Sequence, residues 1–279
     1  MGYISDNQKQ KKNITTLRLQ EMKNSGKKIV CLTAYDALIS EILDETDVDV
    51  ILVGDSLGNV IQGLETTLPV TMDDMVYHTK LVKTGAKRAL VIADMPFMSY
   101  QVSVDSAFSN AGRLLKETGC GAVKLEGAGQ IILNAIARMT EAGIPVMGHL
   151  GLTPQSINKF GSYKTRGTER IEAEKILSDA KEIEQAGAFS IVLEKIPFEL
   201  AKQITAELTI PTIGIGAGPY CDGQILVYAD MLGLTAPAFQ PRFVRKYSDL
   251  RTQIKDAVGT YCDDVRQNSF PTLDESYSK

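Results

Sequence analysis

Eight short apolar runs, separated by segments of helical character, constrain this chain more than any other feature. They are IVCLTAYD (29–36), VDVILVGDS (48–56), ALVIADMPF (89–97), AVKLEG (122–127), PVMGHLG (145–151), FSIVLEK (189–195), PTIGIGA (211–217) and DMLGLT (230–235). Short Val-, Ile- and Ala-rich runs of near-continuous apolar character read as strands buried on both faces. The segments between them carry helix signals. ALISEILDE (37–45) has apolar residues at helical spacing, and Asp36 stands ready to cap it. Thr71 and Asp74 have capping-box form ahead of MVYHTKLVK, with Asp in place of the usual Glu or Gln. Three further helices end at Gly119, Gly143 and Gly187, and one begins at Pro197.

Eight strands alternating with helices predict a (β/α)8 barrel, with TTLRLQEMKNSG (15–26) as an additional N-terminal helix and 248–267 as another helix behind. A doubly wound sheet is the structural alternative. No Pro-, Gly- or Ser-rich linker divides the 279 residues, so residues 1–279 read as a single barrel domain, with 1–14 and 268–279 as loose tails.

Composition narrows the function classes. With 44% hydrophobic residues, 23% charged residues and a net charge of −4, the chain has a globular make-up and no basic stripe for nucleic acid. The basic run KQKK (9–12) reads as a solvated tail. The longest apolar runs are far short of a membrane span, and the first residues have no apolar leader segment, so a cytoplasmic protein is expected. The four cysteines, Cys31, Cys120, Cys221 and Cys262, lie far apart and form no CxxC; they read as free thiols.

The polar residues collect where the strands end. VILVGDSLGN (50–59) runs four apolar residues into Asp55 and Ser56; the third strand ends at Asp94, the fourth carries Lys124 and Glu126, the fifth His149, and the sixth ends at Glu194 and Lys195. In a barrel these ends share one mouth, where barrel enzymes keep their active sites. Lys124 and Glu126, two apart, take the same face. Each residue alone has an ordinary reading: a strand-end Asp caps a turn, a lone His is a satisfied structural residue, and His78 decorates a helix face. Together, several carboxylates at one mouth repel one another unless a cation or a proton relieves them. Oxygen-only donors suit a hard ion such as Mg2+, and clustered Cys and His ligands for zinc are absent from the pattern. A lysine beside them suits an anionic substrate, or a base or Schiff-base role. The residues thus point to a metal-assisted enzyme acting on a small acid, without specifying its reaction. GIGAGPYCDGQ (214–224) is no dinucleotide fingerprint; it reads as close backbone packing at the mouth, or as a loop over which a second substrate passes.

Nine stretches taken together resemble one family, the 3-methyl-2-oxobutanoate (ketopantoate) hydroxymethyltransferases. They are LTAYDA (32–37), VGDSLGNVIQG (53–63), TLPVT (67–71), ADMPFMSY (93–100), VKLEG (123–127), MGHLGLTPQS (147–156), the Gly-rich stretch at 214–224, VYADMLGL (227–234) and PRFVRKY (241–247). Leu64 and Ala229 depart from that pattern. The resemblance implies a (β/α)8 barrel holding one Mg2+ per subunit. It implies transfer of a one-carbon unit from 5,10-methylenetetrahydrofolate, as co-substrate, to the keto acid 3-methyl-2-oxobutanoate, giving 2-dehydropantoate for pantothenate synthesis. On the matching positions, Asp55, Asp94 and Glu126 would surround the metal, and Asp55, Ser56, Asp94 and Lys124 would contact the keto acid. Glu194 would accept the proton, and His149 would support these groups from behind. A homo-oligomer, a decamer in this family, is implied as well. The rival enzyme class is a Mg2+-dependent carbon–carbon lyase or mutase of the phosphoenolpyruvate/pyruvate barrels, which tend to carry a catalytic Cys on a mobile loop; no cysteine here occupies such a loop. A noncatalytic barrel that only binds a keto acid is the third reading.

Overall fold

The computed structural model describes residues 13–236 and 241–278. The chain divides into two compact units, residues 1–226 and 227–279. The first is a closed barrel of eight parallel strands in sequential order: β1 (Ile29–Thr33), β2 (Val50–Val53), β3 (Leu90–Asp94), β4 (Ala122–Lys124), β5 (Val146–Gly151), β6 (Ser190–Glu194), β7 (Thr212–Ile215) and β8 (Gly223–Leu226). Its helices are α1 (Thr16–Asn24), α2 (Ala37–Asp44), α3 (Leu57–Val60), α4 (Met72–Gly85), α5 (Val104–Thr118), α6 (Gln130–Glu141), α7 (Ile157–Phe160), α8 (Arg170–Gln185) and α9 (Phe198–Glu207). The second unit carries α10 (Tyr228–Met231), α11 (Leu250–Arg266) and a 3-10 turn at Leu273–Glu275. Asp249 caps α11 by accepting from the Thr252 amide.

The helix ends follow the local chemistry. Asp36 accepts from the Ile39 amide at 2.8 Å and caps α2. Thr71 and Asp74 form the capping box of α4. Gly119, Gly143 and Gly187 all take positive φ where α5, α6 and α8 finish. The tail expected over residues 1–14 lies, except for Asn13 and Ile14, outside the described residues, as does the basic run at 9–12.

Strand parity builds the interior. Ile29 and Cys31, Val50 and Leu52, Leu90 and Ile92, Ala122, Met147, Val192, Ile213 and Ile225 point inward and pack as one cluster. Leu19 and Met22 of α1 join this cluster at the end where the strands begin, so the additional helix plugs that end. The alternate residues Ile51, Val91, Val123, Val146 and Ile191 face outward and are also buried. This two-sided burial explains the near-continuous apolar runs. Fully burying each such side chain contributes about 1.5–3 kcal/mol.

The eighth strand is not where the apolar pattern placed it. DMLGLT (230–235) begins within the short helix α10, and Gly233 takes φ +69 in the turn after it. The true β8 is GQIL, which pairs with β1 from Ile29↔Gly223 to Leu32↔Leu226. Gly223 has to be glycine, because a Cβ there would stand 2.6 Å from the Ile29 carbonyl oxygen. That glycine and an exposed Gln224 dilute the apolar signal. The Gly-rich stretch is therefore the β7–β8 connection and its two flanking strand segments, joined without a helix. Backbone packing is close at Gly214, Gly218 and Gly223, where an added Cβ would stand 3.0 Å or less from Cys221, Phe198 and Ile29. The other runs extended past the true strand ends by a few residues, because the loops at the mouth begin with buried residues such as Ala34, Met95 and Leu125.

Candidate active site

The inward parity that packs the barrel also builds its polar mouth. Two residues beyond Ile92 stands Asp94; beyond Ala122 come Lys124 and then Glu126; beyond Met147, His149; beyond Val192, Glu194. An apolar column thus turns polar at the C-terminal end of four neighbouring strands. In register, Asp94 lies beside Lys124. On β2 the same step reaches Gly54, whose added Cβ would crowd the Ser56 hydroxyl at 2.7 Å. The chain turns there, and Asp55 supplies the carboxylate instead.

The structure brings the expected residues together. Lys124 Nζ lies 2.8 Å from Asp94 Oδ1 and 3.9 Å from Glu126 Oε1. His149 bridges two carboxylates: Nδ1 is 3.4 Å from Glu126 Oε1 and Nε2 is 3.2 Å from Glu194 Oε2. The Asp55 amide donates to Asp94 Oδ2 at 3.0 Å. Ser56 Oγ and Tyr35 Oη share a hydrogen bond of 2.7 Å. Asp55, Asp94, Lys124, Glu126 and His149 are each at most 5% exposed, whereas the Glu194 side chain keeps 16% of its surface. Asp36 stays a helix cap, and His78 Nδ1 meets the Tyr35 carbonyl oxygen at 2.7 Å.

Three neighbours had no role in the sequence reading. Tyr35, Tyr100 and Gln155 are buried polar side chains, and all lie within the motif stretches LTAYDA, ADMPFMSY and MGHLGLTPQS. Gln155 donates to Asp55 Oδ2 at 2.8 Å, and Tyr100 donates to Gln155 Oε1 at 2.7 Å. The one available signal was a phenol or an amide immediately after an apolar run, where a buried polar group must find a partner.

Charge dominates this mouth. Four carboxylates face one lysine and one histidine. Burial pushes the Asp55 carboxyl up to about 8, reinforced by the negative charges of Asp94 and Glu126. Burial also raises Asp94, against the opposing pull of Lys124. Burial and the Lys124 charge push His149 down, but hydrogen bonds to Glu126 and Glu194 outweigh them and carry it up to about 9. Burial likewise opposes the charge on Lys124, yet the three surrounding carboxylates hold its ammonium above the ordinary lysine range.

The residues suit a hard divalent ion. Asp94 Oδ1 is buried against the Lys124 ammonium at 2.8 Å, yet four carboxylates still outnumber the two cationic side chains, and burial with the neighbouring negative charges raises the Asp55 carboxyl. Among the described residues, no three His, Cys, Asp or Glu side chains meet closely enough to form a ready cage. Mg2+ needs no such cage: it is commonly held by one or two carboxylates, with water and substrate completing an octahedron.

Comparison with known proteins gives the family. The family model described as ketopantoate hydroxymethyltransferase matches residues 13–273. A 3-methyl-2-oxobutanoate hydroxymethyltransferase of Pelodictyon phaeoclathratiforme is 58% identical over 274 residues, covering 97% of this chain and 98% of the relative. One from Chlorobaculum tepidum is 58% identical over 269 residues, covering 95% and 96%. Among solved structures, a phosphonopyruvate hydrolase in complex with oxalate and Mg2+ superposes with a TM-score of 0.61 at 10% identity, covering 94% of this chain and 93% of that one. At that identity the likeness shows the barrel fold alone. The match to the family model and the full-length relatives establish membership: the chain is an enzyme that belongs to the ketopantoate hydroxymethyltransferase family.

Proposed function

We propose that the chain transfers a hydroxymethyl group from 5,10-methylenetetrahydrofolate to 3-methyl-2-oxobutanoate, giving 2-dehydropantoate. The observation that carries this reading is the polar column of Asp94, Lys124, Glu126, His149 and Glu194, joined by Asp55 and Ser56 at one barrel mouth. Asp55 and Asp94 would hold Mg2+, with Glu126 as the third carboxylate beside them; when bound, the ion supplies Lewis-acid polarisation of the keto acid's oxygens.

The chain's own groups do the rest. Lys124 offsets the negative charge that the substrate brings to a mouth already rich in carboxylates. Ser56, oriented by Tyr35, offers a hydrogen bond to the acid. Glu194 accepts the C3 proton, and His149 Nε2, 3.2 Å from its carboxylate, fixes where that carboxylate points. The C3 carbon then attacks the methylene of the folate iminium. One C–H bond breaks and one C–C bond forms; both methylene C–N bonds of the folate break, water supplies the hydroxyl group, and the two folate nitrogens take up one proton from C3 and one from that water.

The lyase reading gains nothing from the cysteines. Cys31 is buried in β1, and Cys120 and Cys221 are buried just before β4 and β8, at the wrong end of the strands for a loop at the mouth. Cytoplasmic location and a homo-oligomeric, decameric assembly extend the same family reading; no helix among the described residues is long and apolar enough to cross a membrane.

The test is turnover by the purified protein with the keto acid, methylenetetrahydrofolate and Mg2+, with EDTA as the control. Product formation that EDTA stops is expected. No product with all three present would overturn the assignment.

A further inference from the structure

Gln155 sits in a 3-10 turn (Pro154–Ser156) after β5, 100 residues from Asp55 in the chain, yet it ties four loops of the mouth together. Its Nε2 donates to Asp55 Oδ2 at 2.8 Å and to the Met95 carbonyl oxygen at 2.9 Å. Its Oε1 accepts from Tyr100 Oη at 2.7 Å and from Gln101 Nε2 at 3.0 Å. Its backbone amide donates to Glu126 Oε2 at 3.0 Å. Both amide hydrogens and both oxygen lone pairs are therefore in use. The orientation of the side-chain amide follows from chemistry, because the Met95 carbonyl only accepts and must face Nε2. Tyr100 fixes the other end: it is fully buried, and its hydroxyl also accepts from the Glu126 amide at 3.1 Å. A group satisfied on every side cannot rotate without leaving buried polar atoms unpaired.

We infer that Gln155, held by Tyr100, is a positioning residue that presents Asp55 and Glu126 to the divalent ion. The inference rests on the cation reading above. Gln155 commits Asp55 Oδ2 to a neutral donor, so Oδ1 is the oxygen left for ion or substrate. A neutral amide holds that carboxylate without cancelling its charge, which an arginine or lysine in the same place would do. By bonding Asp55 through its side chain and Glu126 through its backbone, Gln155 also fixes the spacing between the loops after β2 and β4. Groups behind metal ligands commonly change metal affinity by about 10- to 100-fold when removed.

The test uses the full-length enzyme, calorimetric titration with Mg2+ in the absence of substrates, and thermal unfolding in EDTA. Gln155→Met, which keeps the volume and removes the amide, should raise the Mg2+ Kd by about 10-fold or more. Tyr100→Phe, which removes a single oxygen, should raise it several-fold. The double variant should be no weaker than Gln155→Met alone, because the two act in series. In turnover, the KM for Mg2+ should rise while kcat at saturating Mg2+ changes little. Wild-type protein that binds no Mg2+ would overturn the cation reading and this inference with it. Wild-type binding with an unchanged Kd in a folded Gln155→Met variant would overturn the positioning role alone. Should Gln155→Met fail to fold, Tyr100→Phe decides in its place: an unchanged Kd refutes the role, and a raised one supports it.

Discussion

Replacing Lys124 by Met should show how far the mouth depends on its single buried ammonium. At 2.8 Å from Asp94 and 3.9 Å from Glu126, Lys124 interacts with them by roughly 6 and 4 kcal/mol at an effective dielectric constant of about 20. Desolvation of the buried ions offsets much of that. Removing Lys124 nonetheless leaves Asp94 buried without its counter-charge, beside Asp55 and Glu126. Breaking a buried pair in this way costs about 3–5 kcal/mol. The carboxylates can limit the loss by taking up protons, so the lower half of that range is expected at pH 6 and the upper half at pH 8. For a chain of this size each kcal/mol lowers Tm by about 2–4 °C, giving a drop on the order of 10 °C. The assay is thermal unfolding of wild type and Lys124→Met in EDTA, repeated with saturating Mg2+. The ion should restore part of the loss, because it replaces the missing positive charge. A drop of less than about 2 °C at pH 8 in EDTA would refute the reasoning, since it would mean that the carboxylates are not ionised against Lys124.

Three further outcomes follow from the geometry. Without a divalent ion the native state holds a proton on Asp55 up to about pH 8, whereas the unfolded chain releases it near pH 4. The native state binds more protons across that window, so the Asp55 contribution is complete below pH 4 and is lost as pH rises towards 8. Tm measured against pH in EDTA should therefore fall less steeply for Asp55→Asn than for wild type, and equal slopes would contradict the assignment. Gly151→Ala should lose about 2 kcal/mol or more and most of the activity, because φ is +94 and the new Cβ would lie 2.2 Å from the Glu194 carbonyl oxygen; calorimetry together with turnover checks it. Thr71→Ala removes only the cap of α4, so about 1 kcal/mol of stability should go while kcat stays unchanged.

The barrel was legible because burial on both strand faces writes itself as continuous Val, Ile and Ala, and because Asp36, Thr71 and Gly119 mark helix ends by local chemistry alone. β8 was not legible: Gly223 and Gln224 break its apolar pattern for reasons set by the packing of β1 against it. The mouth was legible to the extent that charge marks it. Asp94, Lys124, His149 and Glu194 continue inward columns whose parity is visible in the chain. Gln155, Tyr100 and Tyr35 carry no charge, and their importance lies in partners as far as 100 residues away, which no local pattern records.

In the proposed reaction, Glu194 takes a proton from C3 of the keto acid at a mouth organised by Asp55 and Asp94. Nuclear magnetic resonance of 3-methyl-2-oxobutanoate in deuterated water, with enzyme and Mg2+ but no folate, reads that step by itself. Wild type should exchange the C3 proton, EDTA should stop the exchange, and Glu194→Gln should slow it by about 100-fold or more. Exchange at the wild-type rate in Glu194→Gln, or exchange that EDTA does not affect, would contradict the account.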